Sequence, residues 1–206
     1  MKIKTLILIF TFYCLIITAN SQNSYIKGRY NIKVAYSKYQ PMFSSNTKPG
    51  NWRVEINYGI VKYLETGIYF GYSRFYTLAL HQVSSGSNIG RVNSPFYGIN
   101  ANLHILPFIV KQNDFRFDLY LMGKFGGNYY FTQDGYFPAR GHRTEYGFGC
   151  GFAFYPWKHT GFYLEPSLGK YSYYAFPPGT FETTIQPNLR FGITFKFKNL
   201  YPNKNK

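Results

Sequence analysis

The feature that most constrains this chain is an alternation of apolar and polar residues that runs from about residue 30 to the end. In the stretch 51–60, NWRVEINYGI, every second residue is apolar. Successive side chains of a β-strand point to opposite faces, so a period of two predicts strands. The apolar face of this stretch would hold Trp52, Val54, Ile56, Tyr58 and Ile60. The sequence therefore indicates an all-β protein.

The alternation recurs eight times, with no convincing helix between the segments. The predicted strands are Tyr30–Tyr39, Asn51–Ile60, Leu64–Tyr76, Phe96–Leu106, Phe115–Tyr130, Glu145–Tyr155, Gly161–Tyr174 and Thr184–Lys198. The odd-numbered connections between them look long and the even-numbered ones short. This is typical of an eight-stranded, antiparallel, up-and-down transmembrane β-barrel with short periplasmic turns and longer extracellular loops. Both chain termini would then lie on the periplasmic side.

A soluble sandwich or lipocalin-like barrel would show the same alternation, with a wet polar face. Glycine placement favours the membrane barrel, because 11 strand glycines, Gly98 and Gly151 among them, share the polar face. Glycine weakens a solvated strand face, whereas in a narrow lumen it leaves room for neighbouring side chains. Only 15% of the residues are charged and 22% are aromatic, and the aromatic residues near the strand ends would form two interfacial girdles on the outward face.

The inward face predicted by parity carries nearly balanced charge, as groups confined together should. Its basic residues are Arg29, Lys33, Arg53, Arg116, Lys124, Arg190 and Lys196, and its acidic residues are Glu55, Glu65, Asp118, Glu145 and Glu165. With eight strands the interior is just filled by side chains. We therefore predict a closed lumen with an ion network of Arg53, Glu55, Glu65, His104, Arg116, Asp118, Glu145, Glu165 and Arg190. His104, Glu65 and Arg116 are expected to meet near the periplasmic floor.

The first 21 residues have the pattern of a cleaved secretory signal peptide. Lys2 and Lys4 precede an uninterrupted apolar stretch, 5–19, and Ala19 and Ser21 then supply the small residues of a cleavage site. The predicted organisation is a signal peptide at 1–21, a barrel at 22–198 and a short basic periplasmic tail at 199–206.

Several pieces of the chain resemble the small outer-membrane β-barrel proteins common in Bacteroidota. They are 58–72 (YGIVKYLETGIYFGY), 97–108 (YGINANLHILPF), 115–127 (FRFDLYLMGKFGG), 145–171 and 189–197 (LRFGITFKF). More widely, the chain resembles the eight-stranded barrels of the OmpX kind and the barrel half of OmpA. This resemblance implies a location in the outer membrane of a Gram-negative bacterium. It is specific for architecture and weak for activity, because this type of barrel hosts many functions.

The expected function is non-enzymatic: a side-chain-filled barrel that contributes to envelope integrity or serves as an accessory subunit of a larger outer-membrane assembly. One alternative is a lipid A-modifying enzyme that uses His81 or His142 in the outer loops, and another is a small solute conduit. No ligand-spaced cluster predicts a metal or a cofactor, and the signal peptide argues against nucleic-acid binding.

The net charge of +15 points to anionic partners. Outer-membrane lipids, including lipopolysaccharide, are the expected partners. The candidate anion contacts in the outer loops are Lys48, Arg91, Arg140 and Arg143.

Overall fold

The protein is a closed antiparallel barrel of eight strands, each paired with its neighbours in sequence and β1 paired with β8. The computed structural model describes residues 26–37, 50–78, 89–109, 116–132, 140–175 and 180–198. The strands are β1 (Arg29–Ser37), β2 (Gly50–Val61), β3 (Leu64–Leu78), β4 (Ile89–His104), β5 (Phe117–Thr132), β6 (Arg140–Phe154), β7 (Thr160–Ala175) and β8 (Thr180–Lys198). The predicted fold class is confirmed. The predicted signal peptide at 1–21 and the tail at 199–206 lie outside the described residues.

The strand boundaries differ from the predicted ones mainly where strands are longer than the alternation suggests. β4 begins at Ile89 rather than Phe96, and β6 begins at Arg140 rather than Glu145. In both strands the ladder continues through less periodic sequence, with Tyr76 paired to Arg91 and Phe131 paired to Arg140. Among the described residues there is also one helical turn, α1 (Leu106–Ile109), which an alternation pattern does not reveal.

The two ends of the barrel differ in their connections. We call the end with Arg29 and Lys198 the terminal end, and the opposite end the far end. At the terminal end two residues join β2 to β3 and five join β6 to β7, but twelve, 105–116, join β4 to β5. At the far end only four residues, 176–179, separate the long strands β7 and β8. The predicted alternation of long and short connections is therefore wrong for these two connections.

The outward wall is apolar over most of its height and is bounded by aromatic rings. On β1, exposed Tyr30 and Tyr36 flank Val34, and on β2, exposed Trp52 and Tyr58 flank Ile56. Trp157 extends the aromatic rim at the terminal end, where its ring lies 6.3 Å from that of Phe162. Within the described part of the chain, no helix is long and apolar enough to cross a membrane.

The lumen is packed by inward tyrosine rings that lie against inward glycines. A side chain at Gly151 would collide with the Tyr120 ring, and one at Gly98 or Gly126 would collide with Tyr69. Tyr120 and Tyr69 are both buried. The glycines on the inward face therefore supply the volume that the rings fill, as close packing of an interior requires.

The residues just before β1 pack against the terminal end of β2. Ile26 is fully buried, and its backbone lies so close to Gly59 that any side chain there would collide with it. Gly28 has a φ of 75°, a conformation that glycine adopts without steric cost, and its amide donates a 2.8 Å hydrogen bond to the Gly59 carbonyl. This turn holds the buried Ile26 against Gly59.

Candidate functional site

The candidate site is the polar lumen, whose first cluster lies near the terminal end. Arg29 contacts two carboxylates, Glu65 at 2.5 Å and Asp118 at 3.1 Å. The His104 ring lies between the same two carboxylates, with Nδ1 2.7 Å from Asp118 Oδ1 and Nε2 3.2 Å from Glu65 Oε2. All four side chains are buried. Strands β1, β3, β4 and β5 are thus tied together at one level.

The net charge of this cluster depends on whether His104 carries one ring proton or two. Each ring nitrogen of His104 faces a carboxylate oxygen, and an ionised carboxylate only accepts hydrogen bonds. With both ring nitrogens protonated, Arg29 and His104 together balance Glu65 and Asp118. Because a buried charge is costly unless it is paired, the geometry favours the imidazolium form.

A second cluster occupies the middle of the lumen and is centred on two glutamates. Lys33 Nζ donates to Glu165 Oε1 at 2.7 Å and to the Tyr120 hydroxyl at 2.9 Å, and that hydroxyl donates to Glu165 Oε1 at 2.8 Å. Glu55 lies 2.6 Å from Arg53 Nε and 3.2 Å from Arg190 Nη1. Lys33 is also 3.9 Å from Glu55, so it links the two glutamates.

Aromatic faces support the cations of this second cluster. The Arg53 guanidinium lies 3.7 Å from the centre of the Tyr69 ring, and Lys33 Nζ lies 4.2 Å from the centre of the Tyr120 ring. A cation over a ring face is attracted by the ring quadrupole, by about 2 kcal/mol when both groups are desolvated. The rings therefore fill the lumen and also help to hold its charges.

Toward the far end the lumen continues with Glu145, which accepts a 2.7 Å hydrogen bond from Asn128. Lys124 lies over Gly147 and interacts electrostatically with Glu145. Among the described residues, the inward cations are Arg29, Lys33, Arg53, Lys124, Arg143, Arg190 and Lys196, and the inward anions are Glu55, Glu65, Asp118, Glu145 and Glu165. Seven positive side chains thus face five negative ones, with His104 in addition, and two of the cations, Arg143 and Lys196, are only half-buried.

The structure places eight of the nine residues of the predicted ion network on the inner face, and Arg116 elsewhere. Arg116 is exposed, because β5 begins only at Phe117 and the strand parity does not extend to the residue before it. Its backbone carbonyl accepts a hydrogen bond from the Tyr155 amide. The expectation that Arg116 joins His104 and Glu65 is wrong, since Arg29 holds that position.

The sequence reasoning did not include several uncharged members of the network. Asn100 donates to Asn57 at 2.7 Å and to Glu55 at 3.3 Å, and Thr194 donates to Asn31 at 2.7 Å. Tyr155, in the turn after β6, lies 3.4 Å from the Thr194 hydroxyl, and burial raises the pKa of Tyr155. The three asparagines and Thr194 lie on the inward parity of their strands, so alternation was the signal that could have found them.

The predicted outer-loop residues are only partly described. Lys48 and His81 lie outside the described residues. Arg91 belongs to β4, and Arg140, Arg143 and His142 belong to β6, so none of these four is in a loop. The loop assignment is wrong because both strands stay hydrogen-bonded beyond their periodic parts. Arg143 is half-buried, and its Nε lies 3.5 Å from the Tyr130 hydroxyl.

His142 lies on the outward wall, where Nε2 is 2.9 Å from the Tyr97 hydroxyl. Among the described residues, no group of three or more His, Cys, Asp or Glu is arranged to hold a metal ion. In the cluster near the terminal end, the two carboxylates, Glu65 and Asp118, are already in contact with the Arg29 guanidinium rather than grouped around an empty position.

Neither a model of a known protein family nor a curated protein matches this chain. Among solved structures, the chain is similar to Neisserial surface protein A, with 15% identity and a TM-score of 0.55 over 83% of this chain and 98% of that one. It is also similar to the N-terminal β-barrel domain of Pseudomonas aeruginosa OprF, with 14% identity and a TM-score of 0.48 over 84% of this chain and 99% of that one. A third similar structure is P. aeruginosa outer membrane protein OprG, with 11% identity and a TM-score of 0.48 over 86% of this chain and 100% of that one. The chain has the fold of the small eight-stranded outer-membrane β-barrels.

Proposed function

We propose that this protein is a non-enzymatic, non-conducting barrel of the outer membrane of a Gram-negative bacterium. The observation that carries the proposal is the lumen, in which buried tyrosine rings and interlocked ion pairs occupy successive levels between the terminal end and the far end. A continuous water path would leave the charged groups at its border hydrated, whereas Lys33, Glu65, His104, Asp118 and Glu165 are each at most 1% exposed.

The orientation that we propose places the terminal end in the periplasm. The compact turn between β2 and β3 and the buried Ile26 lie at that end, and short turns are characteristic of the periplasmic side of such barrels. The far end would then face outward, amid lipopolysaccharide. The narrower resemblance to the Bacteroidota barrels and the cleaved signal peptide stay predictions, and both agree with this location.

Ion conductance in a planar lipid bilayer tests the closed lumen. We expect the refolded wild-type barrel to give no discrete current steps. The double variant Tyr120→Ala/Tyr163→Ala removes two buried rings at the level of Lys33 and should produce current steps. These steps would show that barrels of this protein insert into the bilayer in the assay. Tyr129→Ala, which alters an exposed outward ring, should remain silent. Current steps from the wild type, of the size that the double variant gives, would contradict the proposal.

Within this function, the protein would stabilise the envelope or serve as an accessory subunit of a larger assembly. Gentle detergent extraction followed by a native gel separates the two roles. A defined large complex would identify an accessory subunit, whereas a monomer, together with increased envelope permeability on deletion, would identify an integrity role. A deletion strain with normal permeability and a barrel that is never found in a complex would contradict both.

A lipid A-modifying enzyme remains the alternative, and it predicts a changed lipid A mass spectrum on deletion. His81 or His142 would be its base. His81 lies outside the described residues, and the described contacts of His142 are with Tyr97 and the backbone of β5 around Gly127. Restoration of the spectrum by wild type but not by His81→Ala or by His142→Ala would favour this alternative over the non-enzymatic barrel.

A further inference from the structure

A polar cluster interrupts the apolar outward wall near the far end. Tyr72 and Arg74 are successive outward residues of β3, and both donate to the side-chain oxygen of Asn93 on β4, Arg74 through Nε at 3.3 Å. Asn93 pairs with Arg74 across the two strands and is fully buried. A buried amide on a lipid-facing wall is costly unless polar groups satisfy it. Tyr72 and Arg74 satisfy the oxygen of Asn93, whereas its Nδ2 has no hydrogen-bond partner among the described residues.

These contacts orient the Arg74 guanidinium. Arg74 Nε donates to Asn93, and the Arg74 guanidinium carbon lies 5.9 Å from the centre of the Tyr72 ring. The rest of the Arg74 side chain remains exposed. The two terminal NH₂ groups of a guanidinium form a planar fork that matches the oxygens of a phosphate. A guanidinium that is already oriented loses less conformational entropy when it binds such a group.

A second polar pair lies on the same wall, closer to the middle of the barrel. The His142 ring crosses the backbone of β5 at Gly127, where a side chain would collide with it, and reaches the Tyr97 hydroxyl. Asn93, Pro95 and Tyr97 are successive outward residues of β4. The half-buried Pro95 therefore separates the two polar groups and presents no large side chain between them.

On the terminal-end side of these polar groups, the outward wall is apolar. Phe70 is the next outward residue of β3 after Tyr72, and Ile99 is the next outward residue of β4 after Tyr97, with exposures of 43% and 59%. A molecule that contacts both the polar groups and this apolar wall must carry a charged head on apolar chains. That combination describes a lipid rather than a soluble anion.

We propose that Tyr72, Arg74, Asn93, Tyr97 and His142 form a site, the far-end wall site, for the phosphorylated headgroup of a glycolipid in the surrounding leaflet. Arg74 binds the phosphate as a bidentate donor. The Tyr97–His142 pair exchanges hydrogen bonds with the hydroxyl or phosphate oxygens of the sugar, and the acyl chains lie along Phe70 and Ile99. The site deepens the proposed function, since it requires this wall to lie in the membrane.

Lipid retention, measured by native mass spectrometry of the barrel in detergent micelles, tests the site. Four probes are offered separately: phosphorylated lipid A, its dephosphorylated form, phosphatidylglycerol and inorganic phosphate. We expect the wild type to retain one phosphorylated lipid A in preference to the other three. Arg74→Gln should weaken that retention about tenfold, which corresponds to about 1.4 kcal/mol. Arg74→Lys, which keeps the charge but lacks the fork, should retain an intermediate amount.

Arg116→Gln is the matched control, because Arg116 is an exposed arginine at the opposite end of the barrel. It should retain lipid A as the wild type does, and circular dichroism verifies that each variant is folded. Equal retention by Arg74→Gln and the wild type would overturn the site. Equal retention of phosphatidylglycerol would overturn the glycolipid assignment, and competition by inorganic phosphate alone would overturn the lipid assignment.

Conductance of the same preparations separates the two proposals. A silent wild-type barrel that retains no lipid A contradicts the far-end wall site alone. A wild-type barrel that gives current steps contradicts the closed-lumen function, whatever the retention result.

Discussion

The Tyr120 ring occupies the volume that a side chain at Gly151 would fill. A β-carbon at Gly151 would meet the Cε2, Cζ and Oη atoms of Tyr120, whose hydroxyl is engaged by Lys33 and Glu165. The ring cannot move away without breaking these two hydrogen bonds. One small residue on β6 is therefore coupled to an ion pair between β1 and β7.

Gly151→Leu is accordingly expected to destabilise the barrel. Overpacking a filled interior costs about 1–3 kcal/mol, and the displaced Tyr120 would add the loss of its hydrogen bonds. The free energy of unfolding in micelles, measured by urea titration of tryptophan fluorescence, gives the change. Gly123→Leu is the control, because Gly123 faces outward with nothing within 4 Å of an added β-carbon, and it should change stability by less than about 1 kcal/mol. Equal losses in both variants would contradict the assignment of Gly151 to the lumen.

Arg29→Met should destabilise the barrel far more than Arg116→Met. Arg29 is 5% exposed and contacts both Glu65 and Asp118, so its removal leaves two buried carboxylates with His104 as their one cationic contact, at a cost of about 3–5 kcal/mol. Arg116 is exposed, and its replacement should stay within about 0.5 kcal/mol. The same urea titration measures both changes. A larger loss for Arg116→Met would restore the sequence-based placement of Arg116 in the lumen.

Lys33 and Glu165 are expected to be strongly coupled. Each single variant, Lys33→Met and Glu165→Gln, leaves one partner of a 2.7 Å buried ion pair behind, whereas the double variant removes both. The summed losses of the single variants should therefore exceed the loss of the double variant by about 1–3 kcal/mol. Lys158→Met, which changes an exposed turn residue, is the neutral control. Additive losses would show that the pair does not interact.

The two tryptophans offer a test of the aromatic girdles. The chain contains only Trp52 and Trp157, which are exposed on the outward wall and in the turn after β6, respectively. Both should lie at headgroup level, so lipids brominated near the headgroup should quench the fluorescence more than lipids brominated near the chain ends. Trp52→Phe and Trp157→Phe resolve the two contributions. Stronger quenching by the deep label would contradict the positions of the girdles.

The alternation of the sequence was sufficient to predict eight strands, the closed antiparallel barrel and the inward or outward orientation of most residues. It was sufficient because a strand has a fixed two-residue period and the two faces of the wall have opposite polarity. The prediction was wrong where a residue lies outside the ladder, as Arg116 does. It was also wrong for His142 and Arg143, whose strand is longer than its periodic part.

The pairing of the adjacent strands β3 and β4 was enough to predict that His104 and Glu65 meet, but the tertiary structure alone decided which inward residues of strands distant in the chain meet. Lys33 and Glu165 are 132 residues apart in the chain, and Arg190 and Glu55 are 135 apart. Their contacts depend on the register of several strand pairs and on the stagger with which the barrel closes, to which every turn contributes. The sequence thus determined that the lumen is polar, carries charges of both signs and is lined with glycine. Barrel closure determined that Arg29 rather than Arg116 joins His104, and that the Tyr120 ring fills the space left by Gly151.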